Sequence, residues 1–466
     1  MKVLLVLAQT GSFRLYDSMV RRLAAEGHQV TVLVGTMTKL DLAAQTRAMV
    51  DCQRDLPECR FGLAFRWRQI GLRSVLAIAP RELVSYAVYL KPQHPNPEMG
   101  RRRTAPLPLP LRVAARSWVG RAILARTGVQ NALRWIDRVI PPSPSIMSWL
   151  RELQPDVVLA SPYIMGQAVE VEYVKAAKAL GIPTAACVSS WDNLTTKGTF
   201  PLLPDQVFVW NEVLAEEAVT IHAVPRERIV VTGAPVFDFW FDTPVSLDRE
   251  SFCAEAGVDP SKPIIVFVGS SLSIGGDETA HVRQLAAALH TDEATRDATL
   301  LVRPHPWNAS FWRDFTMDGV VVWPRFGNIP DTRESRQQYV NTVRHADVVV
   351  GINTSAMVEV AIADRPCVTI LTEQYERTQK GRAHFFHLLN AKYMETADSV
   401  EEGVRVIGRV LGGADQRASE RRRFVQEFVR PAGLNVSPSS IMASALEKLA
   451  GVHAGREPVT TKGLSA

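Results

Sequence analysis

Short runs of apolar residues recur along this sequence, and most of them are followed by a polar loop and then by a helical pattern. The first run, residues 2–8, is followed by a loop and by apolar positions at helical spacing between Asp17 and His28. The second run spans residues 29–35. Near-continuous apolar runs predict parallel strands that are buried on both faces. This order of strand, loop, helix and strand predicts a βαβ unit.

The same alternation returns further along the chain and then starts again. It resumes in four runs, at residues 155–161, 182–188, 205–211 and 229–235, and restarts at residues 263–269 after an irregular stretch. A chain of 466 residues is too long for one ordinary domain. We therefore predict an α/β fold with two Rossmann-like domains facing each other across a cleft. The predicted boundaries are a first domain at 1–240, a linker at 241–261, a second domain at 262–450 and a disordered tail at 451–466.

Composition places the chain among globular proteins. Hydrophobic residues make up 46% of it and charged residues 22%. The five cysteines are scattered and odd in number, which favours reduced thiols in a cytoplasmic protein over a disulfide framework. The apolar N-terminal run is too short for a signal peptide and favours a buried first strand. The first loop contains only Gly11 of a G-x-G-x-x-G pattern, so a dinucleotide site is not expected.

Residues 60–140 are rich in arginine, with tryptophan, leucine and valine between the arginines. Arginine and large apolar residues at helical spacing are typical of helices that lie on an anionic membrane surface. Ordinary domain helices with solvated arginines would give the same composition. Both interpretations remain open from the sequence. Nucleic-acid binding is not expected, because no known binding motif accompanies the charge.

Two loops in the second half of the chain have residues suited to holding phosphate. In the first, an apolar strand ends at Arg303 and is followed by His305 between two prolines, which restrict the backbone and so aim the imidazole. Arg303 can supply a second, charge-assisted contact to the phosphate. In the second, a valine run ends at Gly351 and is followed by Asn353, Thr354 and Ser355 at the predicted start of a helix. Hydroxyl groups and unpaired amides at a helix N-terminus suit an anion. The alternatives are a helix-capping or core histidine and plain helix capping by the hydroxyls.

Further candidates follow other strands of the second domain. Ser270 and Ser271 come directly after the run at 263–269 and could approach a diphosphate. Lys380 and His384 lie after the strand that ends near Leu371, where they could reach a donor sugar, and His384 is one of two catalytic candidates. His384 and His387 could be two metal ligands, but a third ligand is not evident, and we expect no metal site.

A loop of the first domain supplies the candidate base. Asp192, flanked by Trp191 and Asn193, follows the predicted strand at 182–188. A carboxylate in such a loop can deprotonate an attacking hydroxyl group, and we assign the role of general base to Asp192. Capping of the following turn is its alternative role. Together with Gly11 and Ser12 of the first loop, these residues form the predicted acceptor side.

The two predicted domains, the Arg303-Pro304-His305-Pro306 loop and the Gly351–Ser355 run with Glu359 resemble the GT-B glycosyltransferases. The closest resemblance is to bacterial families with a His-Pro motif: sialyltransferases, capsule-type 3-deoxy-manno-octulosonate transferases and teichoic-acid glycerophosphotransferases. This resemblance implies that His305 and the Thr354–Ser355 pair contact the donor phosphates. It also implies that Glu359 holds ribose hydroxyl groups and that no metal ion or other cofactor is needed. The sialyltransferases carry an acidic motif ending in glycine, and Trp191-Asp192-Asn193 departs from it.

The resemblance implies a cytoplasmic transferase. It would move a sugar or polyol phosphate from a nucleotide-activated donor to a surface-polysaccharide or lipid-linked acceptor, as in capsule and cell-envelope synthesis. With the membrane-surface interpretation of residues 60–140, the protein would be peripheral at the inner face of the membrane. One alternative is an enzyme resembling UDP-N-acetylglucosamine 2-epimerase, although its histidine- and arginine-rich signature is not found. The other is a non-catalytic GT-B protein that binds partners in polysaccharide assembly.

Overall fold

The computed structural model describes residues 1–35, 42–66, 69, 71–92, 94–165, 168–327, 330 and 332–451. The described chain forms two compact units. Unit 1 comprises Met1–Val236 and the described residues from Asn435 onward, and unit 2 comprises Phe237–Leu434. Apart from Gly451, the predicted disordered tail lies outside the described residues, as do Trp67 and Arg68 of the arginine-rich segment.

Each unit is built on one parallel sheet. The strands of unit 1 pair in the order β3-β2-β1-β4-β5-β6-β7 and those of unit 2 in the order β10-β9-β8-β11-β12-β13. In unit 1 the strands are β1 (Lys2–Leu7), β2 (Gln29–Val34), β3 (Arg60–Leu63), β4 (Val157–Ser161), β5 (Thr184–Cys187), β6 (Gln206–Val209) and β7 (Ile229–Val231). In unit 2 they are β8 (Ile264–Val268), β9 (Thr299–Arg303), β10 (Val320–Val322), β11 (Val348–Gly351), β12 (Cys367–Ile370) and β13 (Glu395–Ala397). Both orders reverse direction after the first strand of the unit, as in a Rossmann fold.

Helices connect the strands and cover the sheets. The helices in the first segment of unit 1 are α1 (Asp17–Ala25), α2 (Leu42–Asp55), α3 (Leu72–Tyr89), α4 (Gly100–Arg103), α5 (Leu109–Arg116), α6 (Trp118–Leu124), α7 (Thr127–Val139), α8 (Pro144–Leu153), α9 (Glu170–Ala179), α10 (Asn193–Thr196) and α11 (Glu212–Thr220). Those of unit 2 are α12 (Asp238–Asp242), α13 (Arg249–Ala256), α14 (Thr279–Thr291), α15 (Arg333–Arg344), α16 (Ala356–Ile362), α17 (Ala383–Asn390), α18 (Val400–Leu411) and α19 (Ala418–Phe424). The last helix, α20 (Pro438–Gly451), belongs to unit 1.

Alternate residues of the central strands pack into separate cores on the two faces of a sheet. In β1, Leu5 packs with α1 and α20 on one face, whereas Leu4 packs with α8 and α9 on the other. Both side chains are fully buried. This two-sided burial explains why the strands have near-continuous apolar sequences. The two strand orders confirm the prediction of two Rossmann-like sheets.

The chain passes between the units at different positions from those predicted. The division falls after Val236, and much of the stretch predicted as a linker, 241–261, is structured. Helix α13 lies within it and buries Phe252 and Cys253 in unit 2. Its N-cap residue, Asp248, accepts a hydrogen bond from the backbone N–H of Ser251 at 2.8 Å. The short helix lacks a clear apolar period, which is why the sequence pattern did not reveal it.

The last helix also lies in a different unit from the one predicted. Helix α20 was expected in the second domain, but Met442 and Leu446 are fully buried in the core of unit 1. Glu447 accepts a hydrogen bond from Nε2 of His28 at 2.9 Å, which ties the helix to the loop after α1. Its apolar periodicity predicts a helix but does not specify which core buries it.

Two short edge strands, β3 and β13, were absent from the sequence prediction. Their sequences, Arg-Phe-Gly-Leu and Glu-Thr-Ala, are short and lack a continuous apolar run. Edge strands tolerate such sequences because one side of the strand has no neighbour in the sheet. No helix within the described ranges is both long and apolar enough to span a bilayer.

Candidate functional site

The carboxyl ends of four neighbouring strands form one row in unit 2. Val268 of β8 pairs with Arg303 of β9 on one side and with Gly351 of β11 on the other. Gly351 in turn pairs with Thr369 of β12. The point between β8 and β11 is where the strand order reverses, and ligands of open α/β sheets bind there. The two predicted phosphate loops therefore begin at this edge, on either side of the loop that follows β8.

Close packing joins the loops that follow β8 and β9. The backbone N–H of Gly269 donates to the carbonyl of Arg303 at 2.9 Å. A Cβ atom on Gly269 would lie 2.8 Å from the backbone nitrogen of His305, so only glycine allows this approach. The side-chain amide of Asn308 donates to the carbonyl of Ser270 at 2.7 Å. His305 is thus carried on a well-supported loop beside the switch point.

His305 is half-buried and forms the N-cap of the 3-10 helix Pro306–Trp312. Its Nδ1 atom accepts a hydrogen bond from the backbone N–H of Trp307 at 3.2 Å. In the neutral imidazole this leaves the proton on Nε2, which is then a donor. Capping and anion binding use different nitrogen atoms, so the two roles that the sequence left open are compatible.

Thr354 and Ser355 lie at the start of α16, as predicted. Ser355 is exposed, and its side chain makes no capping hydrogen bond to the helix. Thr354 is half-buried, and its hydroxyl oxygen accepts only a long contact of 3.4 Å from the backbone N–H of Ala356. Plain helix capping therefore does not account for this hydroxyl pair.

A second set of hydrogen bonds joins the loops after β11 and β12. The buried side-chain amide of Gln379 donates to the carbonyls of Ile352 and Ile370, both at 3.0 Å. Asn353 is buried and donates from Nδ2 to the carbonyl of Thr378 at 2.5 Å. Asn353 therefore supports the loop. Gln379, which sequence reasoning did not select, fixes the loop that carries exposed Lys380.

Arg303 and Glu359 point into unit 2, where they form a buried cluster with Tyr339 and Trp240. Arg303 is 6% exposed, and its guanidinium lies 4.5 Å from the centre of the Tyr339 ring. Glu359 accepts hydrogen bonds from Trp240 Nε1 at 3.0 Å and from the Tyr339 hydroxyl at 2.6 Å. Burial lowers the pKa of Arg303 to about 10, while Tyr339 and Glu359 act in the opposite direction. Arg303 therefore remains a cation at neutral pH. It adds positive potential near the edge of the sheet without itself being exposed.

The loop after β8 contains a carboxylate that the sequence did not single out. Glu278 is almost fully buried and accepts the backbone N–H of Ser270 with both oxygens, at 3.0 and 3.1 Å. Burial raises the pKa of Glu278 to about 8. Ser270 is fully buried, and its backbone N–H is already bonded to Glu278. Of the predicted serine pair, only Ser271, which is half-buried, is accessible.

Trp307 is a third residue that sequence reasoning missed. It is 70% exposed and follows His305 by two positions. Phe326, 69% exposed, precedes Gly327, whose added Cβ would lie 2.9 Å from Cα of Pro306. Arg325 supports the loop that carries Phe326 by donating hydrogen bonds to the carbonyls of Trp312, Arg313 and Phe315. Two exposed aromatic side chains thus lie on supported loops next to His305.

The other predicted residues of unit 2 differ in accessibility. His384 is 7% exposed, in the first turn of α17. Lys380 is exposed and lies 3.5 Å from a carboxylate oxygen of Asp398, in a solvent-screened ion pair. The predicted contact of these two residues with a donor sugar stays a prediction.

In unit 1, Asp192 follows β5 and is half-buried. Its Oδ1 accepts hydrogen bonds from Ser190 Oγ at 2.6 Å and Asn193 Nδ2 at 3.1 Å, and its Oδ2 accepts from Thr196 Oγ1 at 3.0 Å. These donors fix the orientation of the carboxylate at the start of α10. The side chain makes no capping hydrogen bond to the helix backbone, so turn capping does not account for it, and the role of a base stays a prediction.

The remaining acceptor-side candidates lie near the same edge of the sheet of unit 1. Trp191 and Asn193 are buried beside Asp192. Gly11 is exposed and Ser12 half-buried in the 3-10 helix Thr10–Leu15 after β1. These two groups of residues follow β5 and β1, which lie on either side of β4.

Comparison with known proteins gives structural likenesses at low sequence identity. The chain is similar to the UDP-GlcNAc 2-epimerase of Neisseria meningitidis bound to UDP-GlcNAc, with 13% identity, a TM-score of 0.55 and coverage of 96% of this chain and 100% of that chain. It is similar to the UDP-GlcNAc 2-epimerase of Methanocaldococcus jannaschii, with 12% identity, a TM-score of 0.54 and coverage of 96% and 99%. The chain has a two-domain GT-B-like fold.

A third solved structure with this GT-B-like fold is Arabidopsis thaliana UGT89C1 complexed with UDP. Its identity to the chain is 14%, its TM-score is 0.51, and the similarity covers 96% of this chain and 99% of that chain. No protein-family model and no curated protein sequence matches the chain. The comparisons therefore establish the fold.

Proposed function

We propose that this protein is an enzyme that binds a nucleotide-activated sugar at the carboxyl edge of the unit 2 sheet and transfers the sugar to an acceptor hydroxyl group. The proposal rests on one arrangement. His305 and the Thr354–Ser355 pair follow two strands, β9 and β11, that flank β8. Solved structures with similar folds contain UDP-GlcNAc or UDP, which supports a uridine nucleotide as the first ligand to test.

The proposed donor site combines hydrogen-bond donors with one buried cation. Nε2–H of His305 and the hydroxyl groups of Ser271, Thr354 and Ser355 would donate to the diphosphate. Buried Arg303 contributes positive potential, which is weakly screened away from water. Trp307 would stack on the base, because an exposed aromatic ring offers a nucleobase a flat apolar surface. Metal-independent binding is part of this proposal, with protein donors stabilising the leaving diphosphate.

Transfer needs one group that removes a proton from the acceptor. We assign this role to Asp192, the carboxylate in the described loop directly after β5, whose orientation is fixed by three side-chain donors. A surface polysaccharide or lipid-linked acceptor remains the proposed substrate class on the acceptor side.

Epimerisation is the second candidate, and the likeness to two UDP-GlcNAc 2-epimerases favours it. Inverting carbon 2 requires its C–H bond to break and a proton to return on the opposite face. That chemistry needs acid–base groups on both sides of the carbon, whereas transfer needs one base. The loop after β5 contributes a single carboxylate, Asp192, so we place transfer first.

The nucleotide site can be tested by thermal-shift binding of UDP, GDP, CDP, CMP and ADP. A ligand that binds the native state raises the melting temperature, and we expect the largest rise with UDP. His305→Ala should abolish the rise and also remove the cap. His305→Asn is the matched variant, because asparagine is a good N-cap residue but lacks the Nε2 donor. It should preserve stability and still abolish the rise. Unchanged binding in both variants would remove the phosphate role from His305.

The reaction can be tested by incubating the protein with UDP-GlcNAc in D₂O and following the sugar by NMR. Deuterium at carbon 2 would show that the C–H bond breaks and would identify an epimerase. Release of UDP that depends on an added acceptor, persists with a chelator and is lost in Asp192→Asn would support transfer. Binding without either reaction, across a panel of donors and acceptors, would favour the non-catalytic alternative.

A further inference from the structure

Helices α5, α6 and α7 and the first turn of α3 expose large apolar side chains. Trp118 is 83% exposed, Leu72 73%, Leu109 66% and Trp135 61%. These residues, with others on the same four helices, define the apolar face: Leu72, Val75, Leu76, Leu109, Val113, Trp118, Val119, Ile123, Trp135, Ile136 and Val139. The four helices pack against one another, and many exposed apolar side chains on neighbouring helices are a mark of an interaction site.

The apolar face is not a by-product of incomplete folding, because the opposite sides of the same helices are packed. Leu107, Ala115 and Leu124 are buried together against Leu83 and Tyr86 of α3. The helices therefore already have a core of their own. The exposed side chains are additional to it.

Helix α7 exposes large apolar side chains while it buries polar ones. Trp135, Ile136 and Val139 point outward, whereas Gln130 and Asp137 on the inner side are buried. Asp137 forms ion pairs with Arg81 at 2.8 Å and with Lys175 at 2.9 Å. Val129 and Leu133 of the same helix pack against the core. The helix therefore has an ordinary inner side and, in addition, three large apolar side chains that face solvent.

The segment that carries most of the apolar face, residues 99–136, has charge of one sign. The sequence contains no aspartate or glutamate between Glu98 and Asp137, and Asp137 is buried and paired. Five arginines in this interval are exposed: Arg101, Arg102, Arg116, Arg121 and Arg126. A second copy of the chain would present the same arginine-rich surface to this one, so self-association would bring like charges together.

We propose that the apolar face and its arginines dock onto an anionic lipid bilayer. Tryptophan and leucine side chains would enter the boundary between headgroups and acyl chains, and the arginines would bind the lipid phosphates. Attachment is peripheral, through side chains of packed helices. It depends on no part of the proposed nucleotide site, which lies in unit 2. It also reconciles the two interpretations that the sequence left open, because these helices are both part of a domain and exposed.

The test is co-sedimentation of the full-length protein with vesicles of phosphatidylcholine alone and of phosphatidylcholine with about 30% phosphatidylglycerol, a composition chosen to give a strongly anionic surface. We expect binding to the anionic vesicles that weakens as salt is raised, because screening shortens the range of the attraction. Trp118→Ser with Trp135→Ser should weaken binding by about tenfold or more. Arg121→Gln with Arg126→Gln should weaken it by about tenfold and reduce its salt dependence.

Two controls separate docking from other effects. Val213→Ser removes an exposed apolar side chain from α11, outside the apolar face, and should bind like the wild type. His305→Asn should also bind vesicles normally, so that failure of the nucleotide site and failure of docking are distinguishable. The tryptophan, arginine and Val213 variants should keep the melting temperature of the wild type, since the replaced side chains are exposed. His305→Asn should keep it because asparagine is also a good N-cap residue.

Three results would overturn the proposal. One is no binding to anionic vesicles, and another is equal binding of the wild type and the double tryptophan variant. The third is a concentration-dependent dimer in sedimentation velocity that the tryptophan variant abolishes, which would mean that a second copy covers the face.

Discussion

The guanidinium group of Arg303 lies 4.5 Å from the centre of the Tyr339 ring. The hydroxyl group of the same tyrosine donates a hydrogen bond of 2.6 Å to Oε2 of Glu359. Neither terminal nitrogen of Arg303 donates a hydrogen bond to a described residue. Tyr339 therefore contacts the buried cation through its ring and the buried carboxylate through its hydroxyl group.

This dual contact predicts the effect of replacing Tyr339. Tyr339→Phe should lower the free energy of unfolding by roughly 1–3 kcal/mol, because a buried carboxylate loses a donor. Tyr339→Leu should lower it further, because the cation–π contact is lost as well. Urea denaturation of the full-length protein measures both. Equal stability of Tyr339→Phe and the wild type would mean that the hydrogen bond makes no net contribution.

Ser355 is predicted to affect ligand binding and not stability. Ser355→Ala should change the free energy of unfolding by less than about 0.5 kcal/mol, because its hydroxyl group makes no cap bond. It should weaken binding of the nucleotide by about tenfold, through loss of a donor to a charged group.

Thr332 provides the matched control for Ser355. Its side chain accepts a hydrogen bond from the backbone N–H of Ser335 in a reciprocal capping box at the start of α15. Thr332→Ala should lower stability by about 1 kcal/mol and leave nucleotide affinity unchanged. Thermal shift and urea titration together give both quantities. The assignment of Ser355 to the nucleotide site is wrong if Ser355→Ala, like Thr332→Ala, lowers stability and leaves nucleotide affinity unchanged.

Glu170 is predicted to make stability depend on pH. It is fully buried, and burial raises the pKa of its carboxyl group from 4.5 to about 8. The folded protein therefore holds this proton more tightly than the unfolded chain. The corresponding stabilisation is complete below about pH 4.5 and is lost as the pH rises through about 8.

Glu170→Gln removes the ionisable group from that position. The variant should be more stable than the wild type by more than about 1 kcal/mol at pH 9, and the difference should vanish near pH 4.5. Glu172→Gln is the control, because Glu172 is buried but paired with Arg81 at 2.7 Å. It should be destabilised by roughly 3–5 kcal/mol. If the difference in free energy of unfolding between Glu170→Gln and the wild type does not vary with pH, titration of Glu170 does not control stability.

The last helix is predicted to stabilise unit 1. Leu446 is fully buried, so Leu446→Ala should cost about 2–5 kcal/mol. Hydrogen exchange followed by mass spectrometry should show lost protection in β1–β7 and little change in β8–β13. Leu434→Ala replaces a side chain that is 42% exposed, so it should change neither the stability nor the hydrogen-exchange protection of either unit. Loss of protection mainly in β8–β13 would contradict the placement of α20.

Much of the fold followed from local patterns. Apolar runs predicted the central strands, and parallel strands necessarily end at one edge of a sheet. That rule was enough to place His305, Thr354 and Ser355 together at the edge. The inward orientation of the Arg303 side chain was not predicted from the sequence. It is the last residue of β9, one position after Val302, whose side chain packs in the core on the other face of the sheet.

The sequence by itself therefore determined the type and order of the elements and which loops meet at the carboxyl edges. The tertiary structure decided which core buries α20, which polar groups are internal, and which aromatic residues stay exposed. Trp240 and Glu359 are 119 residues apart, and no local period indicates that they bond to each other. Periodicity reports the environment of a face of one element, whereas the choice of partner depends on packing between elements distant in the chain.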